Sequence, residues 1–280
     1  VLLAEVAAAT RAAGGKRLRP MLVLLCAGEG GGEGAVRAAT AVELVHMATL
    51  VHDDVLDEAP LRRGHPTVAA TSGRGRALAT GDLLLSRAFA LLAEAGEARA
   101  VQLLAEAAVA LARGELAQRH DAFDTEISEQ RYLERCRLKT ATLFECACVL
   151  GCDDESLREF GAEVGLAFQL LDDVLDVTGP PERTGKARGT DLLDGTVTLP
   201  LIEAAAIDPG IRSVDLHGLD SDSAAALCDR IAATGALETV RARALEMVAA
   251  GKRSLEGAEF EPEQRALLAL VADGVVQRYS

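Results

Sequence analysis

The sequence predicts an all-α protein, a single large helical domain over residues 1–280, and three observations carry that prediction. Apolar residues recur at three- and four-residue spacing almost to the end of the chain, the period of helices that bury one face. Alanine and leucine abound while aromatics make up only 3% of residues and tryptophan is absent. That composition suits helices packed closely through small side chains and argues against a β-sandwich or a nucleobase-stacking surface. Proline and glycine clusters are short, so nothing reads as a linker, and no stretch has the length and turn signals of a strand.

The helices follow in order. Residues 1–13 read as a helix ending at Gly14-Gly15. Pro20 suits the first turn of the next, which carries Met21 to Ala27, because a missing N–H is harmless there. The run Gly28 to Gly34 is a loop, and a Walker A reading of it fails because no Gly-Lys-Ser/Thr follows. A long helix from Ala35 to about Asp57 places Leu44, Met47, Ala48, Val51 and Val55 at helical spacing. Glu58 to Thr67, with Pro60, Gly64 and Pro66, is a loop. Helices are then expected over Gly81–Ala95, Ala98–His120, Ser128–Leu150 and Ser156–Thr178. Gly179-Pro180-Pro181 stops the last of these, and a polar loop runs to Gly195. Thr198–Ile207, Ser221–Gly235, Glu238–Gly251 and Glu261–Tyr279 complete the chain.

Charge narrows the function. A net charge of −14 disfavours non-specific binding to DNA or RNA. The apolar stretches Met21 to Ala27 and Leu83 to Leu92 are too short or interrupted to span a bilayer, so no transmembrane segment is expected. The opening residues carry no secretory pattern, and a start at Val1 rather than Met leads us to expect a natural chain that begins upstream. Six cysteines (Cys26, Cys136, Cys146, Cys148, Cys152, Cys228) lack zinc spacing and lie mostly among Ala and Leu. We read them as small core hydrophobes of a protein in the reducing cytoplasm.

One pentapeptide occurs twice: Asp53-Asp54-Val55-Leu56-Asp57 is repeated, letter for letter, as Asp172-Asp173-Val174-Leu175-Asp176. Each copy ends a long apolar helical pattern. Carboxylates at i and i+4 share a helix face, so Asp53 with Asp57, and Asp172 with Asp176, point the same way. Acids packed so closely repel one another unless a cation holds them. Oxygen-only donors suit hard ions, and Mg²⁺ uses a few carboxylates together with phosphate oxygens and water. Two such clusters would form a multi-Mg²⁺ clamp for a diphosphate. Asp153-Asp154, alone after Gly151-Cys152, reads instead as a helix end.

Basic residues supply the complement. Lys16, Arg17 and Arg19 follow the double glycine, and Arg62-Arg63 follow the first Asp cluster. Glycine lets backbone approach a ligand closely, Arg offers forked donors to phosphate oxygens and Lys a compact charge. Surface salt bridges would explain either stretch alone. Beside the Asp pairs they suggest two phosphate sites, one metal-bridged and one metal-free.

At this point the chain resembles the trans-isoprenyl diphosphate synthases, or polyprenyl synthetases, over nearly its whole length. The motifs come in the family's order: Gly14-Gly15-Lys16-Arg17-Leu18-Arg19-Pro20, His52 to Asp57 with Arg62-Arg63-Gly64, Gly81-Asp82, Gly114-Glu115, Lys139-Thr140-Ala141, Phe168 to Asp176, and Gly185-Lys186 with Gly189-Thr190-Asp191. The resemblance implies the isoprenoid synthase fold, a helical bundle around a deep apolar cavity, and a homodimer. It implies a Mg²⁺-dependent head-to-tail condensation of isopentenyl diphosphate with an allylic diphosphate such as farnesyl or geranylgeranyl diphosphate, with three ions per site. Asp53, Asp57 and Asp172 would be direct metal ligands, with Asp54, Asp173 and Asp176 supporting them directly or through water. Arg62, Lys139, Thr140, Gln169 and Lys186 would hold the allylic diphosphate, Lys139 and Lys186 serving catalysis as well. Gly15, Lys16, Arg19, His46 and Arg63 would hold isopentenyl diphosphate.

One position departs from the pattern: Thr196 follows Gly195 where the family usually has Lys, so a diphosphate contact is expected to be missing. A class I terpene cyclase would mix Asn, Ser/Thr and Glu in its second metal site and would not need Gly14 to Pro20. A regulatory subunit would lack one Asp cluster or the basic motif, and a di-iron protein would need Glu-x-x-His pairs. Product length is read from Val45, Ala48 and Thr49, one to two turns before Asp53. Family members that stop at fifteen or twenty carbons carry Phe or Tyr near these places; small residues here imply a medium- to long-chain all-trans product, about six to ten isoprene units, with a geranylgeranyl diphosphate synthase as the alternative.

Overall fold

The computed structural model describes residues 17–62, 64–179, 188–258 and 260–277. Among them the chain is nearly all helix: α1 (Leu18–Ala27), α2 (Gly32–Leu56), a two-strand hairpin of β1 (Leu61–Arg62) and β2 (His65–Pro66), then α3 (Val68–Ser72), α4 (Arg74–Glu94), α5 (Ala98–His120), α6 (Glu129–Cys136), a π-helical turn (Arg137–Ala141) and α7 (Thr142–Cys152). There follow α8 (Leu157–Thr178), α9 (Thr190–Leu193), α10 (Leu199–Ile207), α11 (Pro209–Arg212), α12 (Ser221–Ala233), α13 (Ala236–Ser254) and α14 (Pro262–Gln277). The expected helix over 1–13 lies outside the described residues.

The chain divides into two compact units, Val1–Ala108 with Cys146–Glu155, and Val109–Glu145 with Ser156–Ser280. In the first, α2 packs chiefly along α4 and α1. Met47, Ala48, Val51 and Val55 of α2 form one apolar cluster with Ala77 and Leu84 of α4. Gly151 admits α1 closely, since a Cβ there would stand 2.5 Å from the Val23 carbonyl oxygen. In the second unit α8 is the central element and packs mainly against α13 and the π turn. Gly161 and Gly165 make that approach possible: a Cβ on either would lie 2.7 Å from the Cα of Glu145 or Ala141. Phe160, Leu170 and Phe144 are sealed from solvent nearby, each such side chain contributing about 1.5–3 kcal/mol.

Helix starts follow local chemistry. Thr67 caps α3 and Ser128 caps α6, each hydroxyl accepting from a backbone N–H three residues on, and Asp220 caps α12 the same way. Pro200 sits in the first turn of α10.

Several expected boundaries are corrected. The glycine run is a 3₁₀ turn over Gly28–Gly30, and α2 begins at Gly32, before Ala35. Helix α4 starts at Arg74, before Gly81, after a break at Gly73 (φ 83°). The loop after the first Asp cluster contains the β1–β2 hairpin, turned at Gly64 (φ 79°), which only glycine adopts easily. The single helix expected over Ser128–Leu150 is interrupted by the π turn. Within the expected polar loop, Thr190–Leu193 is helical. Short elements of this kind are decided by tertiary contacts rather than by periodicity.

Of the described helices, α2 alone is long and apolar enough by composition to cross a membrane. Half of its most apolar window is buried against its neighbours, as in the core helix of a packed domain. Five of the six cysteines are buried, in keeping with the core-hydrophobe reading.

Candidate active site

Both Asp clusters stand at the C-terminal ends of helices. Asp53 and Asp54 lie in the last turn of α2, and Asp57 caps it, its N–H donating to the Asp53 carbonyl at 2.8 Å. Asp172, Asp173 and Asp176 occupy the last two turns of α8. A helix C-terminus carries partial negative charge, so carboxylates there are unfavourable unless cations arrive. The oxygen-only donor set therefore fits a hard divalent ion. Among the described residues no three acidic, histidine or cysteine side chains gather closely enough to hold a metal.

The middle acid of each cluster is turned inward. Asp54 is buried, and Arg62 Nε donates to its Oδ1 at 2.7 Å. That ion pair folds the β1–β2 hairpin back on α2, helped by Ala59 N–H donating to the Asp54 carbonyl and Thr67 Oγ1 to the Ala59 carbonyl. Arg62 thus reaches the first cluster. Beside it, the His52 ring lies over Gly81, where a Cβ would be 2.2 Å from Nε2, and that nitrogen is 3.3 Å from Asp82 Oδ1. The Gly81-Asp82 motif is a seat for His52.

Asp173 is only 2% exposed. Its Oδ2 accepts from Tyr132 Oη at 2.5 Å and its Oδ1 from Gln169 Nε2 at 2.7 Å. Gln169 Oε1 in turn accepts from Thr140 Oγ1 at 2.7 Å. Burial, with Asp191 and Asp172 nearby, pushes the Asp173 carboxyl well up, and burial beside Asp173 does the same to Tyr132. Asp54 and Asp173, expected to support the metal set, are buried groups held by protein partners. Thr140, expected to bind diphosphate, has donated its proton to Gln169 and presents lone pairs, which suit a cation better than a phosphate oxygen. Asp176 Oδ2 accepts from the Asp191 N–H at 3.2 Å, which tucks α9 against the end of α8.

Lys139 and Thr140 sit on the π turn, a local widening of the helix frequent at functional sites. The turn presses on Gly114 of α5, where a Cβ would be 2.5 Å from Lys139 N. Next to Gly114, Glu115 is ion-paired with Lys139 and accepts from Arg119 Nε at 2.8 Å. Burial alone would raise the Glu115 carboxyl, but Lys139 and Arg119 hold it below the usual carboxylate range. With the folded pKa below the unfolded one, this contribution is present at neutral pH and disappears as pH falls below about 4. Urea melts of Glu115→Gln should consequently show a flatter loss of stability than the parent between about pH 5 and 3. Parallel pH profiles would refute the coupling.

Of the residues expected to hold isopentenyl diphosphate, the structure brings Arg19 and His46 together, Nη1 to Nε2 at 3.4 Å. Burial lowers the Arg19 pKa to about 10 against the opposing pull of Glu43. Gly15, Lys16, Arg63 and Lys186 lie outside the described residues. Thr196 is held by its N–H to the Asp191 carbonyl at 2.7 Å. The preceding Gly195 (φ 72°) leaves no room for a Cβ, which would meet the Phe123 ring at 2.4 Å.

Sequence reasoning missed Tyr132, Asp121 and Arg135. Asp121 and Arg135 are both buried. Asp121 Oδ1 accepts two bonds from Arg131, at 2.7 and 2.5 Å, while Arg135 Nη2 donates to the Val197 carbonyl at 2.5 Å, its Nη1 lying 3.9 Å from Asp121 Oδ2. The available signal was a charged residue at Arg135 on the apolar face that also carries Tyr132.

Comparison with known proteins finds a match to the polyprenyl synthetase family over residues 1–225. The chain is 42% identical over 248 residues to heptaprenyl diphosphate synthase component 2 of Geobacillus stearothermophilus, covering 84% of this chain and 78% of that one. It is 35% identical over 280 residues to octaprenyl diphosphate synthase of Escherichia coli K12, covering 95% and 86%. Among solved structures, a polyprenyl synthase from Caulobacter crescentus CB15 complexed with calcium and isoprenyl diphosphate superposes with a TM-score of 0.89 at 34% identity, over 96% of this chain and 87% of that one.

Proposed function

The chain belongs to the polyprenyl synthetase family, and from that premise we propose that it is a trans-prenyltransferase that condenses isopentenyl diphosphate with an allylic diphosphate to make an all-trans polyprenyl diphosphate of medium to long chain. The observation that carries this reading is the pair of Asp clusters at the C-termini of α2 and α8, each with its middle acid withdrawn into the protein.

Asp53, Asp57, Asp172 and Asp176 would hold Mg²⁺, three ions by the family pattern. Bound there, the metal would neutralise charge on the departing diphosphate. Asp54 keeps Arg62 aimed at that diphosphate, and Lys139 and Lys186 add charge to the same group. Gly15, Lys16, Arg19, His46 and Arg63 hold the second diphosphate, that of isopentenyl diphosphate. The allylic C–O bond breaks, the isopentenyl double bond attacks the allylic carbon, and the proton lost from the adduct goes to the released diphosphate. Thr140 offers lone pairs to the positive charge that develops on the allylic carbon. Apolar, alanine-rich helices keep water from quenching that charge.

A homodimer is part of the proposal: Val109 and Leu116, seven residues apart on one face of α5, are 61% and 69% exposed, as a surface covered by a second copy would be. Five buried cysteines without zinc spacing support a cytoplasmic setting. A relative called component 2 raises a second reading, that this chain works only with another subunit. One assay separates them: the purified chain alone with isopentenyl diphosphate, farnesyl diphosphate and Mg²⁺, followed by product analysis. Linear polyprenyl diphosphates of about C30 to C50 are expected; a cyclic hydrocarbon would overturn the reading, and activity only after a partner is added would favour the second.

Product length gives a further test. Ala48 is almost fully buried and shares its cluster with Ala77 and Leu84. A Phe at 48 must push into neighbouring apolar space that packed helices yield reluctantly. Ala48→Phe should shift the products of the native assay to shorter chains, and an unchanged length distribution would refute that role.

A further inference from the structure

We propose that Tyr132 is a positioning residue for prenyl transfer, holding the Gln169 amide and through it the Thr140 hydroxyl; this rests on the prenyltransferase reading above. Four side chains form one hydrogen-bonded line across α6, the π turn and α8: Tyr132 Oη to Asp173 Oδ2 (2.5 Å), Gln169 Nε2 to Asp173 Oδ1 (2.7 Å), and Thr140 Oγ1 to Gln169 Oε1 (2.7 Å). Each bond sets the direction of the next. Both Asp173 oxygens accept, so Asp173 takes the NH₂ end of Gln169, which turns its oxygen toward Thr140. Thr140 then spends its single proton on that oxygen and presents two lone pairs. An acceptor-only hydroxyl fits a developing allylic cation; a flipped Gln169 would draw on those lone pairs and leave the Thr140 proton facing positive charge.

Tyr132 is the anchor because it is 1% exposed, its hydroxyl shut away from bulk solvent. Without it Asp173 would be a buried acid held from one side, free to rotate and release Gln169. The neighbouring Cys136 thiol, pushed up to about 12 chiefly by burial, is a weak neutral donor and a poor substitute. Removing only the hydroxyl leaves the ring and its contact with the Arg135 guanidinium, 5.4 Å from the ring centre, so packing is conserved in Tyr132→Phe.

The test is a kinetic cycle on the full chain with isopentenyl and farnesyl diphosphates and Mg²⁺. Tyr132→Phe should lower kcat about tenfold while leaving both KM values within about twofold. In a Gln169→Leu background, which removes the relayed group, the same change should cost nothing more. Full kcat in Tyr132→Phe, or losses that multiply in the double variant, would overturn the proposal, because a merely structural tyrosine acts independently of Gln169. A second pair guards against misfolding of that variant. Asp173→Asn keeps an oxygen for Gln169 and an amide N–H for Tyr132 Oη, whereas Asp173→Leu keeps neither, and both remove the acid. The Asn variant should be at least about tenfold faster; equal rates would again overturn the assignment. A parent chain that elongates no allylic diphosphate would defeat the prenyltransferase reading itself, whereas an active parent with an indifferent Tyr132→Phe defeats the positioning role alone.

Discussion

Asp172→Ala should give a folded protein whose turnover falls by about a thousandfold or more, and Asp53→Ala should do the same. Losing a metal ligand removes several kcal/mol of leaving-group stabilisation, and each 1.36 kcal/mol is about tenfold in rate. The fold should survive for an electrostatic reason. Asp53 sits in the last turn of its helix, where a negative charge is unfavourable in the metal-free protein, and Asp172 stands beside another acid, Asp173. Asp172 is also exposed, so its removal empties no core space. Thermal melts without Mg²⁺ should therefore match or exceed the parent's, while added Mg²⁺ should stabilise the variants less. Near-normal turnover in either would end the metal assignment. Arg63→Ala, by contrast, should mainly raise the isopentenyl diphosphate requirement.

The largest stability effect is expected at a place with no part in the chemistry. Asp121→Ala should cost about 3–5 kcal/mol, the usual result of leaving a buried charge without its partner. Arg131 is half exposed and can turn to water, but Arg135 is 3% exposed and stays in place through the Val197 carbonyl. The control is the double variant Asp121→Ala with Arg135→Met, in which the stranded charge is gone and an apolar side chain of similar length fills the space. It should recover much of the loss, since apolar replacements of buried ion pairs are often neutral. Urea denaturation of the parent and both variants decides it. If the double variant is as unstable as Asp121→Ala, the cost lies in the cavity rather than in the charge.

These two cases mark the boundary between what could be read in the chain and what could not. The Asp repeat was legible because i, i+4 spacing fixes direction on any helix and acids beside apolar residues demand a cation. The order of helices was legible for the same reason: a 3.6-residue period is a local property. Gly81 and Gly114 were visible as parts of motifs, but their purpose was not. Only packing places the His52 ring over one and the Lys139 backbone over the other. The π turn under Lys139 and Thr140 was equally invisible, since nothing in its five residues departs from an ordinary helical pattern, and it forms where α5 and α8 press on it.

By itself, then, the sequence determined the fold class, the succession of helices and the chemical character of the site, because each depends on spacing along one helix or on the charge of neighbouring residues. The tertiary structure alone decided which of three identical-looking acids turns inward. Asp54 and Asp53 are adjacent and chemically the same, as are Asp173 and Asp172. Successive residues on a helix point about 100° apart, so one carboxylate meets Arg62, or Tyr132 and Gln169, inside the protein while its neighbour is left toward solvent. That choice depends on Arg62, 8 residues from Asp54, and on Tyr132, 41 residues from Asp173, and no local pattern encodes a distance of that kind.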